Sequence, residues 1–144
     1  MASINKPERD LTATETEKVS KGRRSTGWII SGLIAAFLLF DVFGKFAKPA
    51  QVVEAFKRSG WPPELSVPIG AILLACTVLY LIPRASVLGA ILLTGYLGGA
   101  VATNLRLENP LFTYTLVPVY FGVLMWAGLW CRERRLESVF PLLK

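Results

Sequence analysis

A chain of 144 residues that is 53% hydrophobic, 18% charged and +6 in net charge, with a mean hydropathy of +0.48, carries too much apolar surface for an ordinary water-soluble domain. Its basic residues stand at the ends of apolar segments instead of on one helical face, so they read as determinants of membrane orientation, and no nucleic-acid partner is expected. The sequence has no histidine, which excludes His-ligated haem, a His-based zinc site and a His general base, while two cysteines without a CxxC spacing exclude a disulfide framework.

Residues 1–26 mix charges of both signs with Ser and Thr and hold only scattered apolar side chains, so a disordered basic tail is expected. The first apolar run lies far from Met1 and is followed by Lys45 and Lys48, unlike a cleavable signal peptide. Lys18, Lys21, Arg23 and Arg24, just before that run, either fix orientation or bind anionic lipid, the latter at about 1 kcal/mol per charge. The first span covers 27–46, with Trp28 at the interface. Asp41 interrupts it near the far end, and Lys45 follows four residues later on the same face. Exposing such an acid to lipid costs about 2.5 kcal/mol or more. Asp41 is therefore either a functional acid or half of a structural ion pair.

Pro49 to Gly60 reads as a short amphipathic helix, with Val52, Val53 and Phe56 on one side and Gln51, Lys57 and Arg58 elsewhere. It is expected to lie in the interface plane over the bundle mouth, followed by Trp61. The second span, 65–82, carries Pro68 where a first turn tolerates it, and then Cys76, Thr77 and Tyr80. Pro83, Arg84 and Ala85 make a connection so short that the third span, 86–105, must run antiparallel beside the second. In that third span Ala90, Thr94, Gly98 and Ala102 recur every fourth residue, with Gly95 and Gly99 on the neighbouring face and Gly89 near the start. Four glycines in a soluble helix would each cost about 1 kcal/mol relative to Ala, so Gly89, Gly95, Gly98 and Gly99 are expected to admit close helix packing in a membrane. The fourth span, 111–130, has Pro118 in its interior, which predicts a bend. Trp126 and Trp130 approach its far interface, and Cys131 with the basic residues Arg132, Arg134 and Arg135 closes it before a short tail over 132–144.

The expected fold is all-α: a four-transmembrane-helix antiparallel bundle with a short interfacial amphipathic helix between spans one and two. Near the spans, nine Lys and Arg fall on the side of the termini and five on the other. Both termini are accordingly expected in the cytoplasm, in a plasma membrane of the bacterial inner-membrane type. That orientation brings Asp41, Lys45, Asn104 and Arg106 to one outer level, a candidate outward-facing polar cluster. Cys76, Thr77, Tyr80, Thr94 and Tyr96 lie deeper, where hydroxyls on membrane helices commonly bond to a backbone carbonyl or a neighbouring helix.

The run YLIPRASVLGAILLTGYLGGAVATNLR, with FGKFAKP at the exit of the first span, FKRSGWPPEL before the second and the basic stop after the fourth, resembles the DoxX-like family of small four-helix membrane proteins. The resemblance covers Trp28 to Arg135. It implies fold and location, and an association with quinone-linked oxidation of sulfur compounds in the wider family. Its pattern commonly has Glu where this chain has Leu73 and His where it has Asn104; both departures remove a titratable group, leaving Asp41 as what remains of any such site.

Three functions follow as expectations: an accessory or assembly subunit linked to quinone-dependent oxidoreduction, a small oligomeric transporter, and a structural partner bound through the glycine stripe. The first fits best, with no enzyme activity of its own, no intrinsic cofactor, a quinone as the one candidate ligand, and the lipid bilayer, a homo-oligomer or a larger membrane complex as partners.

Overall fold

The computed structural model describes the backbone of residues 6–133 and residue 136, and side-chain surroundings from residue 21 onward. In chain order it contains α1 (Lys6–Ala47), α2 (Ala50–Arg58), a single 3-10 turn (Pro63–Leu65), α3 (Ser66–Leu81), α4 (Ser86–Arg106), a π-type turn (Leu111–Thr115) and α5 (Val117–Arg132). Four segments are long and apolar enough to cross a membrane: Lys21–Ala47, Pro63–Leu81, Ser86–Arg106 and Leu111–Arg132. They agree with the four expected spans, and no strand occurs among the described residues.

The spans form a closed ring in the order α1, α3, α4, α5, each touching the two beside it. The chain alternates direction, so neighbours are antiparallel. Outside the ring, large apolar side chains such as Leu33, Phe40, Phe43, Phe112 and Val123 are exposed, which only a lipid environment makes acceptable. Inside it, Leu38, Leu73, Leu93, Met125 and Leu129 are buried with Tyr80. Leu73, which stands where the family resemblance places an acid, is a fully buried core contact.

Close approach is concentrated at two places. A Cβ at Gly89 would stand 2.2 Å from the Tyr80 backbone nitrogen, so α3 and α4 touch backbone to backbone at the base of their hairpin. A Cβ at Gly27 would stand 2.8 Å from both the Gly128 oxygen and the Arg132 nitrogen, and one at Gly128 would meet Ser31 Oγ at 3.0 Å. Gly27 and Gly128 thus set the α1–α5 crossing. The remaining stripe behaves differently from expectation: at Gly95, Gly98 and Gly99 a Cβ would meet nothing within 4 Å, and Ala102 is exposed. Helical period put these residues on shared faces, but α5 meets the stripe only through Trp126 at Thr94 and leaves an open groove at Gly98, while Gly95 and Gly99 also stand open.

Hydroxyls in the spans mostly return to their own helix, Thr77 to the Leu73 carbonyl at 2.8 Å, Thr94 to Ala90 at 2.7 Å and Thr103 to Gly99 at 2.9 Å. Tyr80 instead crosses the ring. Its hydroxyl lies 2.8 Å from Ser31 Oγ of α1 and donates to the Met125 carbonyl of α5 at 3.0 Å.

Two expectations need correction. A disordered tail was expected over 1–26, whereas the backbone from Lys6 to Thr26 continues α1. No Gly or Pro lies between Pro7 and Gly22, and a helix already nucleated in the membrane extends at little cost. Pro118 does not bend the interior of a continuous helix: the fourth span is in two pieces, and Pro118 stands in the first turn of α5, where its missing N–H is harmless. Wide i→i+5 bonds, Thr115 N to Pro110 O and Leu116 N to Leu111 O, carry the chain into it. Trp126, expected near an interface, lies six residues, about 9 Å by helical rise, before the end of α5 and donates to Thr94 Oγ1 at 2.9 Å. The expected closing residues Arg134 and Arg135, the tail to Lys144, and Met1 to Asn5 lie outside the described residues.

These contacts predict opposite outcomes for glycines in one helix. Gly89→Leu should destabilise the chain by about 3 kcal/mol or more, because backbone cannot yield, with Gly128→Leu close behind. Gly98→Leu should change stability by no more than about 0.5 kcal/mol. Unfolding midpoints of the purified variants in mild detergent check the contrast, and equal losses at positions 89 and 98 would contradict it.

Candidate functional site

The last turns of α1 and the start of α3 meet at the end of the bundle opposite the termini. Ser66 donates its hydroxyl to the Lys45 carbonyl at 3.1 Å. Gly70, having no side chain, leaves room for the Lys45 stem, whose Cβ lies 3.1 Å from where a Gly70 Cβ would be. Held there, Lys45 folds back along its own helix, and Nζ donates to Asp41 Oδ2 at 2.5 Å. A third group joins from across the ring: the Tyr96 hydroxyl of α4 donates to the same Oδ2 at 3.5 Å, and Lys45 Nζ sits 5.9 Å from the Tyr96 ring centre. Asp41, Lys45 and Tyr96 therefore form one hydrogen-bonded cluster linking α1 to α4. The Lys45 side chain is only 12% exposed against 41% for Asp41, so the lysine is enclosed by the bundle and the carboxylate shows its outer edge.

Above this cluster lies a cavity of about 750 Å³. Its floor is α4, with Gly95, Tyr96, Gly99, Ala100 and Asn104, and its roof is the end of α2, with Ala55, Phe56, Arg58 and Ser59 running on to Trp61. Gly95 and Gly99 now have a local account: where they lack side chains, the floor sinks and the cavity gains its depth. Lys45 points in from one wall, and Asn109 and Tyr114 close another. Asn109 Nδ2 donates to Asn104 Oδ1 at 2.8 Å, while Asn104 Nδ2 donates to the Ala100 carbonyl at 3.1 Å, fixing both amides.

The roof is attached lightly. No residue of α2 is buried, with Val52, Val53 and Phe56 half-buried on the inner side, as its amphipathic pattern predicts. Left-handed backbone brackets it, at Lys48 (φ 47°) and at Gly60 (φ 73°). Glycine reaches that region without strain and lysine does not, so the turn into α2 is the costlier of the two.

Chemically the cavity is amphipathic. Phe56, Trp61, Ile69 and Leu107 give apolar walls, whereas Lys45, Arg58, Ser59, Tyr96 and Tyr114 bring hydrogen-bond donors, and no carboxylate lines it. Such a space suits a flat or chain-like apolar molecule with an electron-rich oxygen at one end.

Of the predicted cluster, Lys45 and Asn104 line the cavity together, and Asp41 reaches it through Lys45. Arg106 stays at the rim, where its Nη2 lies 3.7 Å from a Cβ built on Gly60. Tyr96 was assigned to a deeper level, yet it is the residue that completes the Asp41 pair. Its backbone does lie deeper, and the length of the tyrosine side chain carries its hydroxyl to Asp41. Arg58 comes in on the amphipathic helix expected over the bundle mouth, whereas Asn109 and Tyr114 carry no signal in the sequence, because the turn after α4 brings them in. Among the predicted interfacial tryptophans, Trp61 lines this cavity and Trp28 stacks on Arg132, 4.7 Å from ring centre to guanidinium carbon. Trp130 packs against the core, its carbonyl accepting from Arg23 Nη2 at 3.2 Å.

Neither the curated proteins nor the solved structures hold a match to this chain. The model of the DoxX-like family matches residues 29–128, which takes in all four spans, the roof helix and the cavity floor. The chain belongs to the DoxX-like family and is a multi-pass membrane protein.

Proposed function

We propose that this protein is an accessory membrane subunit, without catalytic activity of its own, that holds a quinone-type amphipathic ligand in the cavity under α2 for a partner oxidoreductase. The observation that carries the reading is the largely buried Lys45, fixed by Asp41 and Tyr96 in the wall of an amphipathic cavity that no carboxylate among the described residues lines. A quinone fits the donor set, since its carbonyl oxygens accept hydrogen bonds and its ring and chain match walls of Phe56, Trp61 and Ile69. When bound, such a group supplies two-electron acceptor chemistry. The chain's own residues would bind and orient it: Lys45 directs an N–H at the carbonyl oxygen, Asp41 holds Lys45 in that rotamer, and the α2 residues cover the head from water. Asp41 is thus a positioning residue. A transporter would place its coupling acid near the bilayer midplane, and Asp41 stands only six residues before the end of α1.

Quinone retained through purification in mild detergent tests the assignment. Lys45→Met should lower it by about tenfold, the worth of a hydrogen bond from a charged donor, with the unfolding midpoint little changed. Asp41→Asn should retain more than Lys45→Met and lose about 0.5 to 1 kcal/mol of stability. Wild-type retention in Lys45→Met would remove the ligand from this pocket.

Orientation is part of the same proposal: the termini and Arg84 face the cytoplasm, and Trp61 and Glu108 face outward, on the strength of the nine-to-five excess of Lys and Arg. In a background lacking Cys76 and Cys131, a cysteine at position 61 should react with an impermeant maleimide added outside intact cells, and one at position 24 should not. The reverse pattern would place the cavity on the cytoplasmic side.

A further inference from the structure

At the opposite end of the bundle, Arg132 is 6% exposed. Its guanidinium lies between two aromatic rings, 4.7 Å from the Trp28 centre and 4.6 Å from the Tyr80 centre. Nη2 donates to the Tyr80 carbonyl oxygen, whereas Nε and Nη1 have no hydrogen-bond partner among the described residues. Arginine stays protonated in proteins, so these donors cannot be silenced by losing a proton. The two ring faces offset part of the buried charge, and the carboxyl end of α5 adds a partial negative charge. None of these supplies an acceptor for Nε–H or Nη1–H. A buried charge left without its partner is destabilising, and an unsatisfied group of this kind in a native fold calls for an acceptor, from water or from an ion.

The surroundings indicate its chemistry. Arg23 of α1 reaches the same turn, donating to the Trp130 carbonyl, so two guanidiniums converge on the end of α5. Arg24 and Lys21 are exposed on the adjoining turn of α1. Glu133 attracts Arg132 through space without hydrogen-bonding to it. Positive charge is thus in excess at this end, flanked by two tryptophans of the kind that sit at headgroup depth.

We propose that Arg132 is the centre of an oxyanion site that takes the phosphate of an anionic membrane lipid, with Trp28 as its movable wall. Trp28 is 37% exposed although its ring covers the guanidinium, so the ring swings toward lipid without opening a void in the core. The swing bares the unpaired donors to a phosphate at the membrane surface. Arg23, whose Nη2 donates to the Trp130 carbonyl at the same turn, adds positive charge beside that phosphate. This site is separate from the cavity under α2 and does not depend on what that cavity binds.

The test uses the full chain, stripped of lipid in a neutral detergent and titrated separately with phosphatidylglycerol, phosphatidylcholine and inorganic phosphate while the unfolding midpoint is followed. Phosphatidylglycerol should raise the wild-type midpoint by about 3 °C or more, phosphatidylcholine should not, and Arg132→Gln should abolish the rise. An equal rise with inorganic phosphate upholds the oxyanion site and makes free phosphate its ligand. Should Arg132→Gln fail to fold, Trp28→Leu decides, because it keeps the arginine and removes its wall: it should prefer phosphatidylglycerol at least as strongly as the wild type. An undiminished rise in Arg132→Gln, a wild type that treats the two lipids alike or responds to neither, or a Trp28→Leu variant without the preference overturns the proposal.

Discussion

Tyr80 is the residue through which all four spans meet. It is fully buried on α3; its hydroxyl bridges Ser31 of α1 and the Met125 carbonyl of α5, and its backbone lies against Gly89 of α4. In lipid there is no hydrophobic drive to press one apolar helix against another, so close packing and interhelical hydrogen bonds must hold the ring. A tyrosine serves because its body fills the core while its hydroxyl crosses it, and an unmet hydroxyl there would cost more than the bond returns. Met125 can offer a carbonyl that already serves its helix because that oxygen has a second lone pair.

The two ends of the bundle inherit their character from this centre. With α1 and α5 locked at Gly27 and Gly128, and α3 and α4 at Gly89, the helices are closest at the terminus end. At the other end the floor of α4 has no Cβ at two positions, and α2 lies across as a roof. The contact that spans the ring there is the Asp41–Lys45–Tyr96 cluster, the counterpart of the Tyr80 bridge at this end but wetter and longer. Its weakest bond is the 3.5 Å one from Tyr96. A ligand group entering the cavity therefore competes with a marginal contact and leaves the Tyr80 bridge untouched.

Much of this was legible in the sequence. Charge-free runs of bilayer length gave the four spans, the three-residue Pro83–Ala85 link gave the antiparallel hairpin, and i,i+4 spacing gave the Asp41–Lys45 pair. Helical period also grouped the α4 glycines, yet period assigns a residue to a face and says nothing of what the face touches. Gly89 meets backbone, while Gly95 and Gly99 line a cavity. The α1–α5 crossing escaped notice because Gly27 and Gly128 stand alone, without a repeat to announce them. Asn109 and Tyr114 reach the cavity through a turn in which Glu108 takes a left-handed conformation (φ 51°), a feature that spacing rules do not encode. The buried Arg132 reads in sequence as one more member of a stop-transfer cluster. Only its position between two rings sets it apart.

The central claim, that the cavity under α2 holds a quinone-type ligand by its head, is tested most directly by photolabelling. A quinone carrying a photoactivatable group near its ring is equilibrated with the protein in nanodiscs, irradiated, and the labelled peptides are mapped. The account predicts labelling of α4 between Gly95 and Asn104 and of the roof between Ala55 and Trp61, suppressed by excess unlabelled quinone. Labelling spread over lipid-facing positions such as Phe40 and Val123, and indifferent to competitor, would contradict it.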